Sequence, residues 1–251
     1  MSGGAAPRGA GDPGAPQMPA PRVLQRPFTT LTRCLLVPPA EPEPSARPPL
    51  LVLLHGQGQS GERQLRWMGP GAPAHFAVAS PDGFHAHEVR TPDRPIRIGH
   101  AWYLYTGDQA AFAESLAESE RALWALVDAA LAELGADPAR VYLCGFSQGA
   151  YLAHCAAVRA AGRVAGWIAQ SGRLKTEFLL AELPAVAGKP VLLQHGRADP
   201  SLPLGAAEAS ERALAEHGAR VSLELHDGGH EITPAMAARV KAWLSECEPR
   251  R

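Results

Sequence analysis

The stretch Arg140-Val-Tyr-Leu-Cys-Gly-Phe-Ser-Gln-Gly-Ala150 decides the architecture. Val141, Tyr142 and Leu143 are apolar without alternation, the signature of a parallel strand covered on both faces. From Gln148 onward the sequence becomes Ala-rich and helix-forming, so a strand passes through a sharp turn into a helix at Ser147. Gly145 and Gly149 bracket that serine in a G-x-S-x-G pattern. Glycines at those positions let neighbouring backbone approach without a Cβ clash and lift the hydroxyl clear of the sheet. Glycine accounts for 25 of 251 residues, frequent enough for chance occurrence, and the plain alternative is a serine that merely caps a helix. The rest of the chain decides between the two.

Upstream, Leu50-Leu-Val-Leu-Leu54 is wholly apolar and runs into His55-Gly-Gln-Gly-Gln-Ser60; a helix is expected over 61–68 with Ser60 as its N-cap. A short strand at 76–80 precedes a segment, 81–108, that reads as irregular. The helix expected over 109–135 places Phe112, Leu116, Leu123, Val127, Ala130 and Leu134 on one stripe, interrupted by Ser119 and closed by Gly135. After the helix at 148–160, strands at 164–170, 190–194 and 221–225 alternate with helices at 204–217 and 233–245. That alternation predicts an α/β fold, a mostly parallel sheet with helices on both faces, whose ligands bind at the carboxyl ends of the strands. Residues 1–22, Gly, Ala and Pro with almost no large apolar side chains, are expected to form a disordered tail. Residues 23–251 form a single domain, opening with an edge strand in 23–37 and a loop with six prolines in 38–49.

Hydrophobic residues make up 46% of the chain, enough for a sizeable core, and the net charge is -1 with no Lys/Arg run, which argues against nucleic acid and anionic membrane as partners. The four cysteines lack metal-ligand spacing, and no metal or other cofactor is implied. With neither a signal-peptide pattern nor an apolar run of membrane-spanning length, the expected location is cytoplasmic. A homodimer is left open.

Three strand ends carry chemically loaded residues: Ser147 on the elbow, Asp199 in His195-Gly-Arg-Ala-Asp-Pro200, and His230 in Asp227-Gly-Gly-His-Glu231. A serine hydroxyl is a weak nucleophile, so it needs an imidazole to accept its proton and a carboxylate to fix that imidazole's tautomer. The order Ser, Asp, His suits this scaffold. His195 and His226 read as structural; Asp227 and Glu231 lie too close in sequence to His230 to orient it easily. The glycine-rich turn after Leu54 assigns the backbone amides of Gln57 and Gln148 to an oxyanion hole.

From about residue 51 to 244 the chain resembles the phospholipase/carboxylesterase family of serine hydrolases, related to acyl-protein thioesterases. The resemblance is carried by Leu54-His-Gly-Gln-Gly58, Gly145-Phe-Ser-Gln-Gly149, Ser171-Gly172, His195-Gly-Arg-Ala-Asp199 and Gly229-His230. It implies an α/β-hydrolase without a cap domain that cleaves carboxylic esters or thioesters; separately, only residues 171–189 lie between the strand at 164–170 and the next, too few for a cap, so short to medium acyl groups are expected. It also implies that the loop holding Trp102 and Tyr103 lies beside the nucleophile, with Trp102 as the acyl-pocket candidate and Tyr103 and Tyr105 as neighbours. Gln57 replaces a leucine and Ala150 a second glycine of the thioesterases, which points to a small carboxylesterase rather than a depalmitoylating enzyme. Two alternatives share the framework: an acyltransferase with the same triad, and a non-catalytic binding module.

Overall fold

The computed structural model describes residues 31–44 and 46–249; the expected tail at 1–22 and the start of the 23–37 strand lie outside them. Seven strands form one sheet: β1 (Cys34–Val37), β2 (Leu50–Leu54), β3 (Ala77–Pro81), β6 (Val141–Phe146), β7 (Gly166–Gln170), β8 (Pro190–Gly196) and β9 (Arg220–His226). Their order is β1-β3-β2-β6-β7-β8-β9, all parallel except the edge strand β1, which runs antiparallel to β3. From β2 the chain turns to β3 on one side and only later to β6 on the other. The order therefore reverses between β2 and β6, and the carboxyl ends of those two strands open a crevice suited to a ligand.

Both faces of the sheet are covered, which is why the strand sequences do not alternate. Every residue of β2 is fully buried. Leu50, Val52, Leu54 and Leu143 pack on one side with α2 (Gln109–Leu134) and α3 (Gln148–Arg159). Leu51, Leu53, Tyr142 and Cys144 pack on the other, against Met68 of α1 (Gly61–Met68) and against Val240, Trp243 and Leu244 of α6 (Pro234–Cys247). Each such Leu contributes about 1.5–3 kcal/mol by leaving water. Ser60 caps α1 as its sequence suggests, accepting from the Arg63 amide, and Gly135 ends α2 in the left-handed conformation at φ 60°. Between β7 and β8 lie a four-residue helix, α4 (Thr176–Leu179), and one turn of 3-10 helix (Leu183–Val186), too little for a cap domain. The remaining helix, α5 (Leu204–Glu216), links β8 to β9.

The segment 81–108, read as irregular, contains a hairpin of β4 (His85–Val89) and β5 (Arg97–Ala101). Its strands, His-Ala-His-Glu-Val and Arg-Ile-Gly-His-Ala, hold few β-formers and carry no clear period, so the local signal is weak. Its position is fixed from a distance instead. The Gly58 amide donates to the His100 carbonyl at 2.8 Å, the His100 amide donates to Gln59 at 2.9 Å, and a Cβ on Gly99 would stand 2.5 Å from the Gly58 oxygen. The hairpin thus braces the turn that follows β2.

Candidate active site

Ser147 sits at the β6–α3 turn with φ 51° and ψ −115°, a conformation that costs roughly 1–3 kcal/mol and persists only where its surroundings enforce it. The enforcement is visible: the Ser147 amide donates to Gln170 at 2.9 Å, and its carbonyl accepts from the Ala150 amide at 2.9 Å. A Cβ on Gly145 would lie 2.1 Å from the Gly149 oxygen, and one on Gly149 would lie 2.2 Å from the Leu54 oxygen. Neither position admits a side chain, because the elbow folds back on itself and onto the end of β2.

Asp199 follows β8 and His230 lies in the loop after β9. These strand ends touch: a Cβ on Gly196 would meet the Gly229 oxygen at 2.2 Å. His230 Nε2 is 2.9 Å from Ser147 Oγ, and His230 Nδ1 is 2.8 Å from Asp199 Oδ2. Phe146 packs against the imidazole with ring centroids 5.0 Å apart. The Asp199 side chain is wholly buried, and its Oδ1 accepts from the Ser201 and Leu202 amides at 2.8 and 3.0 Å. Burial is the largest single influence on that carboxyl and opposes ionisation. The bonds from His230, Ser201 and Leu202 together outweigh it and hold the pKa below the ordinary carboxylate range. The competitors sit elsewhere. Asp227 is fully exposed beside Arg197, and Glu231 accepts from the Gly229 amide. His195 is buried behind Asp199 with its Nε2 2.9 Å from the Leu202 carbonyl, and His226 accepts from the Gly228 amide.

Gln57 and Gln148 line one cavity of about 250 Å³ together with Ser147. Neither backbone amide donates to an acceptor among the described residues. The turn carrying Gln57 is fixed by Gly58 at φ 70° and by Arg97, whose Nη1 donates to the Gly58 carbonyl at 2.5 Å. The Gln148 side chain has a second task that its sequence gave no sign of. Its Oε1 accepts from the Trp102 amide at 2.8 Å and its Nε2 donates to the Tyr103 carbonyl at 3.0 Å, so it holds the 102–103 loop against the elbow.

Tyr103 and Tyr105 stand on the cavity wall, but Trp102 does not. The indole is completely buried beneath the turn after β2. Its Nε1 donates to the His55 carbonyl at 2.7 Å, and its ring lies 4.8 Å from that of His55. A buried indole N–H requires an acceptor, and the one available lies under the turn rather than in the cavity. Ser119, the polar break in the α2 stripe, donates to the Trp102 carbonyl at 2.5 Å. His55 is itself buried: its Nε2 accepts from the Gly83 amide at 2.9 Å, so Nδ1 carries the proton toward the Gly56 carbonyl, and burial pushes its pKa down to about 4. Three further residues complete the wall, Phe112 of α2, Tyr151 of α3 and Lys175. Phe112 reads from sequence as core stripe, and it is both core and wall; nothing in the sequence marks Tyr151 or Lys175. Among the described residues no group of three His, Cys, Asp or Glu side chains could hold a metal ion. No helix among them is long and apolar enough to cross a membrane.

A nucleophile-sized hydroxyl, an imidazole bonded to it, a buried carboxylate bonded to that imidazole, and two amides with no protein acceptor form a set able to carry acyl transfer. Comparison with known proteins agrees on the reaction class. The phospholipase/carboxylesterase family profile matches residues 39–248. Carboxylesterase SOBER1 of Arabidopsis thaliana is 25% identical over 211 residues, covering 77% of this chain and 88% of that protein. Acyl-protein thioesterase 1 of Eremothecium gossypii is 28% identical over 207 residues, covering 77% and 85%. Among solved structures, esterase PE8 superposes with a TM-score of 0.71 at 26% identity, covering 86% of this chain and 99% of its own. The carboxylesterase of Bacillus cereus shares the fold, with a TM-score of 0.69 at 19% identity over 86% of this chain and 95% of its own. The chain thus belongs to the phospholipase/carboxylesterase family of α/β-hydrolases and is an ester hydrolase.

Proposed function

We propose that the protein hydrolyses carboxylic esters of small to medium acyl groups through a Ser147-His230-Asp199 triad. The observation that carries this reading is the unbroken hydrogen-bonded path from buried Asp199 through His230 to Ser147 Oγ, at 2.8 and 2.9 Å. In it, Ser147 Oγ attacks the ester carbonyl as His230 Nε2 accepts its proton, and Asp199 stabilises the imidazolium and keeps Nδ1 protonated. The oxyanion accepts from the Gln57 and Gln148 amides. Collapse of the tetrahedral species breaks the bond to the alcohol, which leaves with the proton from His230. Water then attacks the acyl-enzyme, giving its proton to His230, which returns it to Ser147 Oγ as the carboxylic acid departs.

The size of the acyl group is argued from the cavity. At about 250 Å³ it falls below the roughly 300–1,000 Å³ of sites that hold drug-sized ligands, and among the described residues no cap domain extends it. The test is labelling by a fluorophosphonate probe together with turnover of p-nitrophenyl butyrate. Wild type should label and turn over; Ser147→Ala should do neither, with kcat lower by on the order of 10⁶. Folded wild type that fails to label, or Ser147→Ala that still turns over, overturns the assignment.

A further inference from the structure

Lysine is scarce in this chain, three residues of 24 basic ones, yet one of the three lies on the wall of the active-site cavity. Lys175 follows the end of β7, and its side chain is only 14% exposed. Its Nζ stands 5.1 Å from the ring centroid of Phe112, 5.5 Å from that of Tyr151 and 5.9 Å from that of Tyr105, within the range where aromatic faces attract a cation. Those rings hold the ammonium in place but do not take its protons in conventional hydrogen bonds. Among the described residues Nζ makes no hydrogen bond to the protein, and its nearest carboxylate oxygen, Glu177 Oε1, is 3.5 Å away.

That carboxylate already has a partner. Arg173 binds Glu177 with two parallel bonds, Nη1 to Oε2 at 3.0 Å and Nη2 to Oε1 at 2.7 Å, and chiefly for that reason the Glu177 pKa is held down to about 2. Two cations therefore share one anion, and the surplus positive charge faces the cavity that also exposes Ser147. A neutral acyl chain entering there would cover the ammonium without giving it an acceptor, which is costly in a partly desolvated site. A carboxylate would supply the acceptor and the countercharge together.

We propose that Lys175 makes this site selective for esters that bear a carboxylate, placed on either the acyl or the alcohol side of the scissile bond. The inference rests on the hydrolase reading above for its reaction, and on Lys175 alone for its substrate class. The two sides are separated by two matched pairs: mono-p-nitrophenyl adipate against p-nitrophenyl hexanoate, and para-butyryloxybenzoate against its methyl ester. For each pair the readout is the ratio of kcat/KM for the anionic over the neutral member, corrected for spontaneous hydrolysis and taken from one enzyme preparation. A change in overall activity then cancels. In the pair that matches the natural geometry, Lys175→Met should lower that ratio by about 10–100-fold, the range for a hydrogen bond to a charged group, and Lys175→Arg should retain most of it. If Lys175→Met leaves both ratios where they stand in wild type, the lysine is only a packing group and the proposal is overturned. A second measurement separates this inference from the reaction. Calorimetric binding of each pair to Ser147→Ala and to Ser147→Ala/Lys175→Met reads the contact without turnover. Discrimination that disappears with Lys175 supports the charge contact even if no ester is turned over; equal binding of all four compounds by both proteins refutes it.

Discussion

Ser147 has two flanks, and they are built differently. On one side, His230 bonds Ser147 directly and Asp199 bonds His230, from strand ends whose backbones touch at Gly196 and Gly229. On the other, the Trp102–Tyr105 loop is positioned at second hand: Gln148 grips its backbone, Trp102 is pinned to the His55 carbonyl, and the β4–β5 hairpin braces the turn beneath. On the proposed mechanism, the first flank depends on a few groups whose chemistry has no substitute. The second depends on many contacts, each replaceable in part. Single substitutions should therefore produce a cliff on the first flank and a slope on the second.

The largest effect expected after loss of Ser147, the proposed nucleophile, belongs to Asp199→Asn. The amide is isosteric, but it can no longer hold His230 in the tautomer that presents a free Nε2 to Ser147, and kcat should fall on the order of 10⁴-fold. Asp227→Asn, on a fully exposed side chain, should stay within a few-fold of wild type. Steady-state kinetics on both variants decide the matter. If Asp227→Asn proves the costlier, the polar flank has been built from the wrong carboxylate.

The two flanks also differ in what their sequences disclose. Ser147, Asp199 and His230 could be picked out because each belongs to a short motif at the end of an apolar strand, where residue type and chemistry coincide. The strands and helices that present them were legible for the same reason, apart from shifts of a few residues at their ends. The hairpin at 85–101 was not, because its pairing is decided by the turn at Gly58 and Gln59 rather than by its own composition. The family resemblance puts Trp102 beside Ser147, and it is close in the chain to Tyr103 and Tyr105, which share the Ser147 cavity. Whether an indole faces a cavity or the core depends on where its N–H finds an acceptor, a three-dimensional fact. Lys175 gave no sign because its setting is made by rings from three separate segments.

A smaller effect probes the slope. Gln148→Ala keeps the backbone amide while deleting both bonds to the Trp102–Tyr103 backbone. The loop carrying Tyr103 and Tyr105 then loses its tie to the elbow, and kcat/KM should drop by about 10- to 100-fold through misplacement of the cavity wall. Gln148→Glu retains an acceptor for the Trp102 amide but has no donor for the Tyr103 carbonyl, so it should fall between the two. Measuring kcat/KM alongside Tm for this pair checks the ordering. Activity within twofold of wild type in Gln148→Ala would mean that packing alone holds this flank.

The least effect expected is on stability, and it concerns the histidine buried in the indirect flank. His55 must stay neutral to accept from the Gly83 amide, and burial holds its pKa near 4, below the value of about 6.5 for an imidazole in an unfolded chain. Between those two values the unfolded state takes up a proton that the folded state refuses, so protons bound to the unfolded chain exceed those bound to the native one. Stability is then fully present above about pH 6.5 and is lost as pH falls toward 4, by at most about 1.4 kcal/mol per pH unit for each such group. His154, also buried and pushed down to about 3, adds in the same direction. The depressed carboxyls, Asp199 and Glu177, contribute in the same sense, but only as pH drops below the ordinary carboxylate range, whereas Glu120, whose pKa burial raises, works in the opposite sense; the His55 share between about pH 6.5 and 5 is therefore read from the difference between wild type and His55→Gln. Urea unfolding across that window should give a stability that falls steadily with pH, with a shallower slope in His55→Gln than in wild type. Equal slopes in wild type and His55→Gln from about pH 6.5 to 5 would mean that His55 is solvated, and that the turn carrying Gln57 rests on something other than a dry imidazole and indole beneath it.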